Sequence, residues 1–321
     1  MRRIILLAVS VLVILALPLL VFCIRSPVLI VTDAPFTALY GAERMKREGY
    51  TASLALFRRV KPVPIADSAG SDLVVVAVSQ AAPRPYCVLF SRRHSEAAER
   101  YHEEYPEIPC VLLTGLANRS MLPSADGIFC VYGTDRETDL YRAGLFAGIL
   151  ADLKRSAAKQ AGDTAAPQTA GRTFVLWQDR SANPAHRELF SAAAKERYPD
   201  AEVAFINNLG ALPGAEKLSC VVVTENGSEY MANPPKVPVI LFGWLDPAIT
   251  SREVVVLFDD SPWGIAVPAV RMAVKNEADG AIPSKPLIVS KKINDRSITR
   301  MLAQSAQKTP QKNHSETLTK N

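Results

Sequence analysis

The chain reads Ile128-Phe-Cys-Val-Tyr-Gly-Thr-Asp135 and then, from Tyr141, Tyr141-Arg-Ala-Gly-Leu-Phe-Ala-Gly148. The first run is apolar on successive positions and stops at a carboxylate, which predicts a strand buried on both faces that hands over to a helix. Thr134 and Asp135 can cap that helix from Glu137 onward, since a side-chain oxygen there accepts a free N–H of the first turn. The second run gives the helix a face of small residues, Ala143, Gly144, Ala147 and Gly148. A strand followed by a helix is therefore the unit to trace in both directions.

Towards the N-terminus, Val28–Thr32 is a β-branched run ending at Asp33, and a helical stretch from Phe36 to Glu48 stops at Gly49. Thr51–Phe57, Leu73–Val78, Tyr86–Phe90 and Cys110–Leu113 read as further strands, and Arg93–Tyr105 as an amphipathic helix ended by Pro106. Towards the C-terminus, a helix over Leu140–Lys154 precedes a small-residue surface loop, Ser156–Gly171. Strands at Thr173–Trp177, Glu202–Ile206, Leu218–Thr224, Val237–Phe242, Glu253–Phe258 and Pro286–Ser290 then alternate with helices at Ala185–Tyr198 and Gly264–Lys275. The expected fold class is α/β, with two doubly wound Rossmann-like domains joined by a hinge.

At 321 residues, 48% hydrophobic and 21% charged, the chain can bury a large core and is neither mainly disordered nor a multi-span membrane protein. Its net charge of +5 sits at the two ends. Arg2, Arg3 and Arg25 contribute +3 and residues 291–321 contribute +5, which leaves −3 for residues 26–290. A mildly acidic body with basic ends suits a membrane surface, and no nucleic-acid partner is expected. Ile4 to Ile24 carries no charge and follows two arginines, the pattern of an export signal, and as a helix it reaches roughly 31 Å. Leu20-Val21-Phe22-Cys23 resembles a bacterial lipobox with Phe22 where a small residue is wanted. Cys23 is thus a candidate lipidation site, and an uncleaved anchor is the alternative. Cys87, Cys110, Cys130 and Cys220 fall inside apolar runs and read as buried core rather than as a metal or disulfide set.

In their order, these segments resemble the type 1 periplasmic binding proteins, the sugar-binding and LacI-like superfamily that includes the basic-membrane-protein lipoproteins. Asp33 with Phe36 is similar to the family's first ligand loop, and Ser91-Arg92-Arg93 to the polar tip of its fourth strand. The 128–148 segment is similar to the strand that crosses between domains. His186-Arg187-Glu188-Leu189-Phe190 resembles an Arg-x-x-Gly-Phe helix, with Leu189 in place of glycine. Gly243-Trp244-Leu245-Asp246 resembles a Gly-x-Asp strand end with one extra residue. Asp259-Asp260-Ser261-Pro262-Trp263 resembles the return crossing. The resemblance implies a signal or membrane anchor over 1–25, a first domain of 27–132 plus 250–277, a second of 133–249 plus 278–300, and a disordered basic tail, 301–321.

It also implies a small polar ligand, a sugar or a nucleoside-like molecule, held in an interdomain cleft for the permease of an ABC importer on the periplasmic side of the membrane. The candidate ligand-binding residues are Asp33, Phe36, Arg92, Asp135, Arg187, Trp244, Asp246, Asp259 and Trp263. Six of them have a plainer reading. Asp33 and Asp135 can be helix caps, Asp246 a solvated loop acid, Arg92 a surface ion-pair partner, and the tryptophans core. A ligand-sensing or degenerate envelope protein of the same fold is the alternative function. No enzyme is expected: G-x-S-x-G, P-loop, G-x-G-x-x-G and H-E-x-x-H motifs are absent, and no cofactor or metal is implied.

Overall fold

The structure is a computed structural model. It describes residues 18, 20–40, 42–117, 129–160, 172–176, 184–207, 218–224, 236–243, 253–259, 262–277, 280–289 and 296–310. These form two compact units, Met1–Thr134 with Ile265–Ile282, and Asp135–Gly264 with Pro283–Asn321. The chain passes from one to the other three times.

In the first unit the strands are β1 (Val28–Thr32), β2 (Val60–Pro64), β3 (Cys87–Ser91), β4 (Cys110–Ala117), β5 (Phe129–Asp135) and β11 (Gly280–Ile282), in the order β11-β5-β4-β3-β1-β2. Between its strands β1 and β4 lie the helices α1 (Ala34–Tyr40), α2 (Ala42–Leu56), α3 (Ser71–Ala81) and α4 (Ser95–Glu104). Leu29, Val31, Val88, Phe90 and Cys110 pack with Val74, Val78, Ala98 and Tyr101, so α3 and α4 cover one face of the sheet. The remaining elements are α5 (Arg136–Gln160), β6 (Arg172–Leu176), α6 (Pro184–Arg197), β7 (Glu202–Ile206), β8 (Cys220–Val223), β9 (Val239–Phe242), β10 (Val254–Phe258), α7 (Pro262–Val274), β12 (Pro286–Ile288) and α8 (Arg296–Ser305). The second sheet runs β12-β10-β9-β8-β6-β7. Its core stacks Phe242 on Phe258, ring centroids 4.6 Å apart, with Phe146, Val222, Ile240 and Leu302.

Both sheets repeat the 2-1-3-4-5 order of doubly wound folds, and the sixth strand of each is supplied from the far C-terminal part of the chain. The pairings are parallel except β10 with β12. A parallel sheet covered by helices needs apolar side chains on both faces, which is why Val28–Val31, Cys87–Phe90 and Cys220–Val223 are buried at every position.

Several expected elements differ. Thr51–Leu56 is the last part of α2, which runs through Gly49, where an added Cβ would meet nothing within 4 Å, and Phe57 follows with a positive φ. Leu73–Val78 belongs to α3, whose buried face is Val74, Val75 and Val78 at helical spacing. The true second strand is Val60–Pro64, an edge strand that tolerates Pro62 and Pro64 because one side needs no hydrogen-bonded partner. Val254–Phe258 pairs with β9 in the second sheet, not the first, and Gly280–Ile282 joins the first sheet, so the expected domain limits at 250–277 and 278–300 shift. Residues 296–305, which include the start of the expected disordered tail, form α8, held by fully buried Leu302. Cys87, Cys110, Cys130 and Cys220 are free and buried, and burial pushes the Cys220 thiol up to about 12. Cys23 is exposed.

Candidate functional site

In a doubly wound sheet the loops that leave neighbouring strands in opposite directions open a crevice at the carboxyl ends, and in the first sheet that point lies between β1 and β3. Asp33 follows β1. Arg92–His94 form a 3-10 turn directly after β3. The fold therefore brings these groups together although they are about sixty residues apart in sequence. Asp33 accepts the Phe36 N–H at 2.8 Å through Oδ1, capping α1, while its Oδ2 lies 3.3 Å from His94 Nε2 and 3.5 Å from Arg93 Nε. The Asp33 side chain is only 3% exposed, and Arg93 is 55% exposed. The carboxylate thus orients a cationic turn whose outer members, Arg92 and Arg93, face solvent. Asp67, after β2, accepts the Ala34 N–H and fastens the same loop. Phe36 is buried beneath it.

Asp33→Ala removes the cap and the anchor of the cationic turn together. The expected loss is about 1 kcal/mol, up to about 2 kcal/mol, read from a urea titration; an unchanged midpoint would refute this role for Asp33.

Asp135 ends β5 and caps α5: Thr138 donates from its N–H to Oδ1 at 3.1 Å and from its hydroxyl to Oδ2 at 2.8 Å. Arg136 follows, buried, donating to the Thr224 carbonyl at the end of β8 and lying 4.2 Å above the Phe242 ring at the end of β9. It ties the start of α5 to two strand ends of the second sheet, those of β8 and β9. Asp259 leaves β10, and the position of a Cβ on Gly264 would be 2.6 Å from its carbonyl oxygen and 3.2 Å from its Cγ. Its carboxylate therefore lies against the first turn of α7, where partial positive charge accumulates. Trp263, in that turn, is buried. Arg187 is on the outer side of α6, 5.3 Å above the Phe205 ring of edge strand β7, and is not gathered with Arg136. Trp244 and Asp246 lie outside the described residues.

The sequence reading placed Arg93 in a polar strand tip without choosing it as a site residue, and did not single out His94, Arg136, Asp139 or Arg142. An arginine in the first turn of a helix opposes the helix dipole, so Arg136 signalled a specific partner. Asp139 and Arg142, at i and i+3 in an otherwise apolar stretch, signalled a buried pair. Both bind the segment after β11. Asp139 accepts the Ser284 N–H at 3.0 Å, and Arg142 donates to the Ser284 carbonyl at 3.1 Å and the Lys308 carbonyl at 2.9 Å. Among the described residues no group of His, Cys, Asp and Glu is arranged to hold a metal ion.

Two mostly parallel α/β sheets of this order, with a chain that crosses three times between their units, define the two-domain periplasmic binding protein type 1 fold. No family model matches the sequence, and no curated protein matches it. Among solved structures, a transcriptional activator of the comK gene from Bacillus halodurans is similar with a TM-score of 0.53 at 10% identity, covering 89% of this chain and 100% of that one. AraP, an arabinose binding protein from Geobacillus stearothermophilus, gives 0.46 at 16% identity, over 78% and 87%. A carbohydrate transporter solute binding protein from Agrobacterium radiobacter, solved with D-arabinose, gives 0.41 at 15% identity, over 87% and 99%. At these identities the likeness is one of fold.

Proposed function

We propose that the chain is an extracytoplasmic solute-binding protein that takes a small polar ligand, a sugar or nucleoside-like molecule, and presents it to an ABC permease. The observation that carries the reading is the polar cluster at the β1/β3 switch point, where Asp33 holds Arg93 and His94 at the crevice of a doubly wound sheet. Asp33, Asp135 and Asp259 shape the loops, and Arg92, Arg93, Trp244 and Asp246 reach the ligand. Guanidinium forks pair with ligand oxygens, and a flat aromatic face covers a ring. Residues 1–25 serve as the anchor, through lipid on Cys23 or as an uncleaved helix. Among the described residues no helix is long and apolar enough to cross a membrane. No covalent chemistry is assigned.

A thermal-shift screen of neutral sugars, acidic sugars, nucleosides and amino acids tests the reading. A ligand at a hundredfold excess over its Kd stabilises the folded chain by about 2.7 kcal/mol. The rise should vanish in Arg92→Ala/Arg93→Ala. No rise with any class would overturn it.

A second reading has one observation behind it. The similar Bacillus halodurans structure is described as a transcriptional activator, which favours a ligand-sensing envelope protein with no permease. The two readings share the binding site. They separate on whether deleting the gene abolishes uptake of the ligand found in the screen or only a response to it.

A further inference from the structure

The least conventional surface of the first unit is the outward face of α2. Tyr50, Leu54 and Phe57 follow one another at spacings of four and three, so they form one stripe, and they are 67%, 58% and 39% exposed. Phe57 adopts φ 50°, the left-handed conformation that bulky side chains avoid and that glycine usually supplies at the end of a helix. Lys46 and Arg47 lie on the same face one turn earlier, both exposed, and Arg59 is exposed just beyond. Residues 42–59 carry five Lys or Arg against two Glu, within a body whose net charge is −3.

The start of the chain meets this stripe. Residues 20–24 are helical, with Phe22 edge-on to Phe57 at 5.9 Å and the Arg25 guanidinium 5.1 Å from the Phe57 ring. Leu20 and Ile24 are exposed beside it. Residues 20–24, the described end of the uncharged run, therefore lie where aromatic and basic residues of the first unit gather. An aromatic and aliphatic stripe bordered by cations matches the boundary between headgroups and acyl chains of an anionic bilayer.

We propose that the α2 stripe of Tyr50, Leu54 and Phe57, with Lys46, Arg47, Arg25 and Arg59 around it, docks the first unit onto the anionic surface of the membrane that residues 4–24 enter. The docking goes beyond solute binding and rests on the anchor reading. The anchor tethers the chain, and the stripe fixes which side of the first unit faces lipid.

The test uses the full chain reconstituted into vesicles, either pure phosphatidylcholine or phosphatidylcholine with phosphatidylglycerol. A photo-crosslinking p-benzoylphenylalanine replaces Tyr50, Leu54 or, as a control on α4, Glu99. Positions 50 and 54 should cross-link to lipid in the anionic vesicles and the control should not. Lys46→Glu/Arg47→Glu should lower the lipid adduct roughly tenfold, because each basic residue at the surface contributes separately. Phe57→Gly relieves the backbone strain, so it should keep the fold while lowering the adduct. Adducts at 50 or 54 to residues 1–17 or to a second copy would overturn docking, as would equal lipid adducts in both vesicle types. Flotation separates the two ideas: a chain that floats without lipid adducts loses the docking and keeps the anchor, whereas a chain that fails to float loses both.

Discussion

Replacing Arg142 by alanine should lower the stability of the second unit by about 1–3 kcal/mol, the cost of leaving a buried acceptor without its hydrogen bond. Arg142 and Asp139 are both buried, on adjacent turns of α5. Between them they hold Ser284 by its N–H and its carbonyl, and Arg142 also holds the Lys308 carbonyl after α8. Alanine leaves the buried Ser284 carbonyl and the more exposed Lys308 carbonyl without this donor, and removes a positive charge that acts on Asp139. Urea unfolding followed by tyrosine fluorescence and far-UV circular dichroism measures the loss; a change below about 1 kcal/mol would refute the clamp.

The same cluster makes stability depend on pH. Burial pushes the Asp139 carboxyl up to about 7, against the Ser284 hydrogen bonds and the arginines at 142 and 136 that pull it down. In the unfolded chain it titrates near 4. Between those values the folded protein keeps a proton that the unfolded chain has released. The Asp139 contribution is therefore fully present at low pH and falls as pH rises from about 4 to 7, by at most about 1.4 kcal/mol per unit. Asp139→Asn should remove that slope, so the difference between the two stability profiles isolates it.

Gly148→Val should be the most damaging change on the small-residue face, at roughly 3 kcal/mol or more. A Cβ at position 148 would press into the Ala194 carbonyl and lie 2.9 Å from the Arg197 Cβ; one at 144 would press into the Phe190 carbonyl and lie 2.8 Å from the Ala193 Cβ. The obstacles are largely backbone of α6, so no rotamer change relieves them. Alanine at either position should cost less, about 1–3 kcal/mol, because it adds only one carbon. Scanning calorimetry of the three variants checks the order; a valine variant as stable as the parent would show that α5 and α6 do not pack this closely.

Much of the fold was legible where burial leaves no choice. The strands at 28–32, 87–91, 220–223 and 239–242 are apolar on nearly every residue because both faces of a parallel sheet are covered, and that pattern survives without knowledge of partners. Leu73–Val78 misled because valine favours strands in isolation; in the folded chain, contacts with β1 and β2 select the helix and leave Leu73 and Val76 in solvent. Membership of a sheet was harder still. Nothing local in Val254–Phe258 says that it pairs with β9, since strand order is decided by long-range packing. At the site, the carboxylates at strand ends were legible as caps or contacts. The groups that engage Asp33 were not, because Arg93 and His94 reach it only once β1 and β3 lie side by side.

The three passages of the chain between units also order events in time. The first sheet lacks its edge strand until Ile282 has been synthesised, and the second lacks β12 and α8 until residues 286–305 follow. The core cluster of the first sheet is drawn entirely from residues 29–131, so it can pack before its edge strand arrives, whereas that of the second sheet includes Leu302 and waits for nearly the whole chain. The two halves therefore do not mature in step: the first can stand while the second is still incomplete.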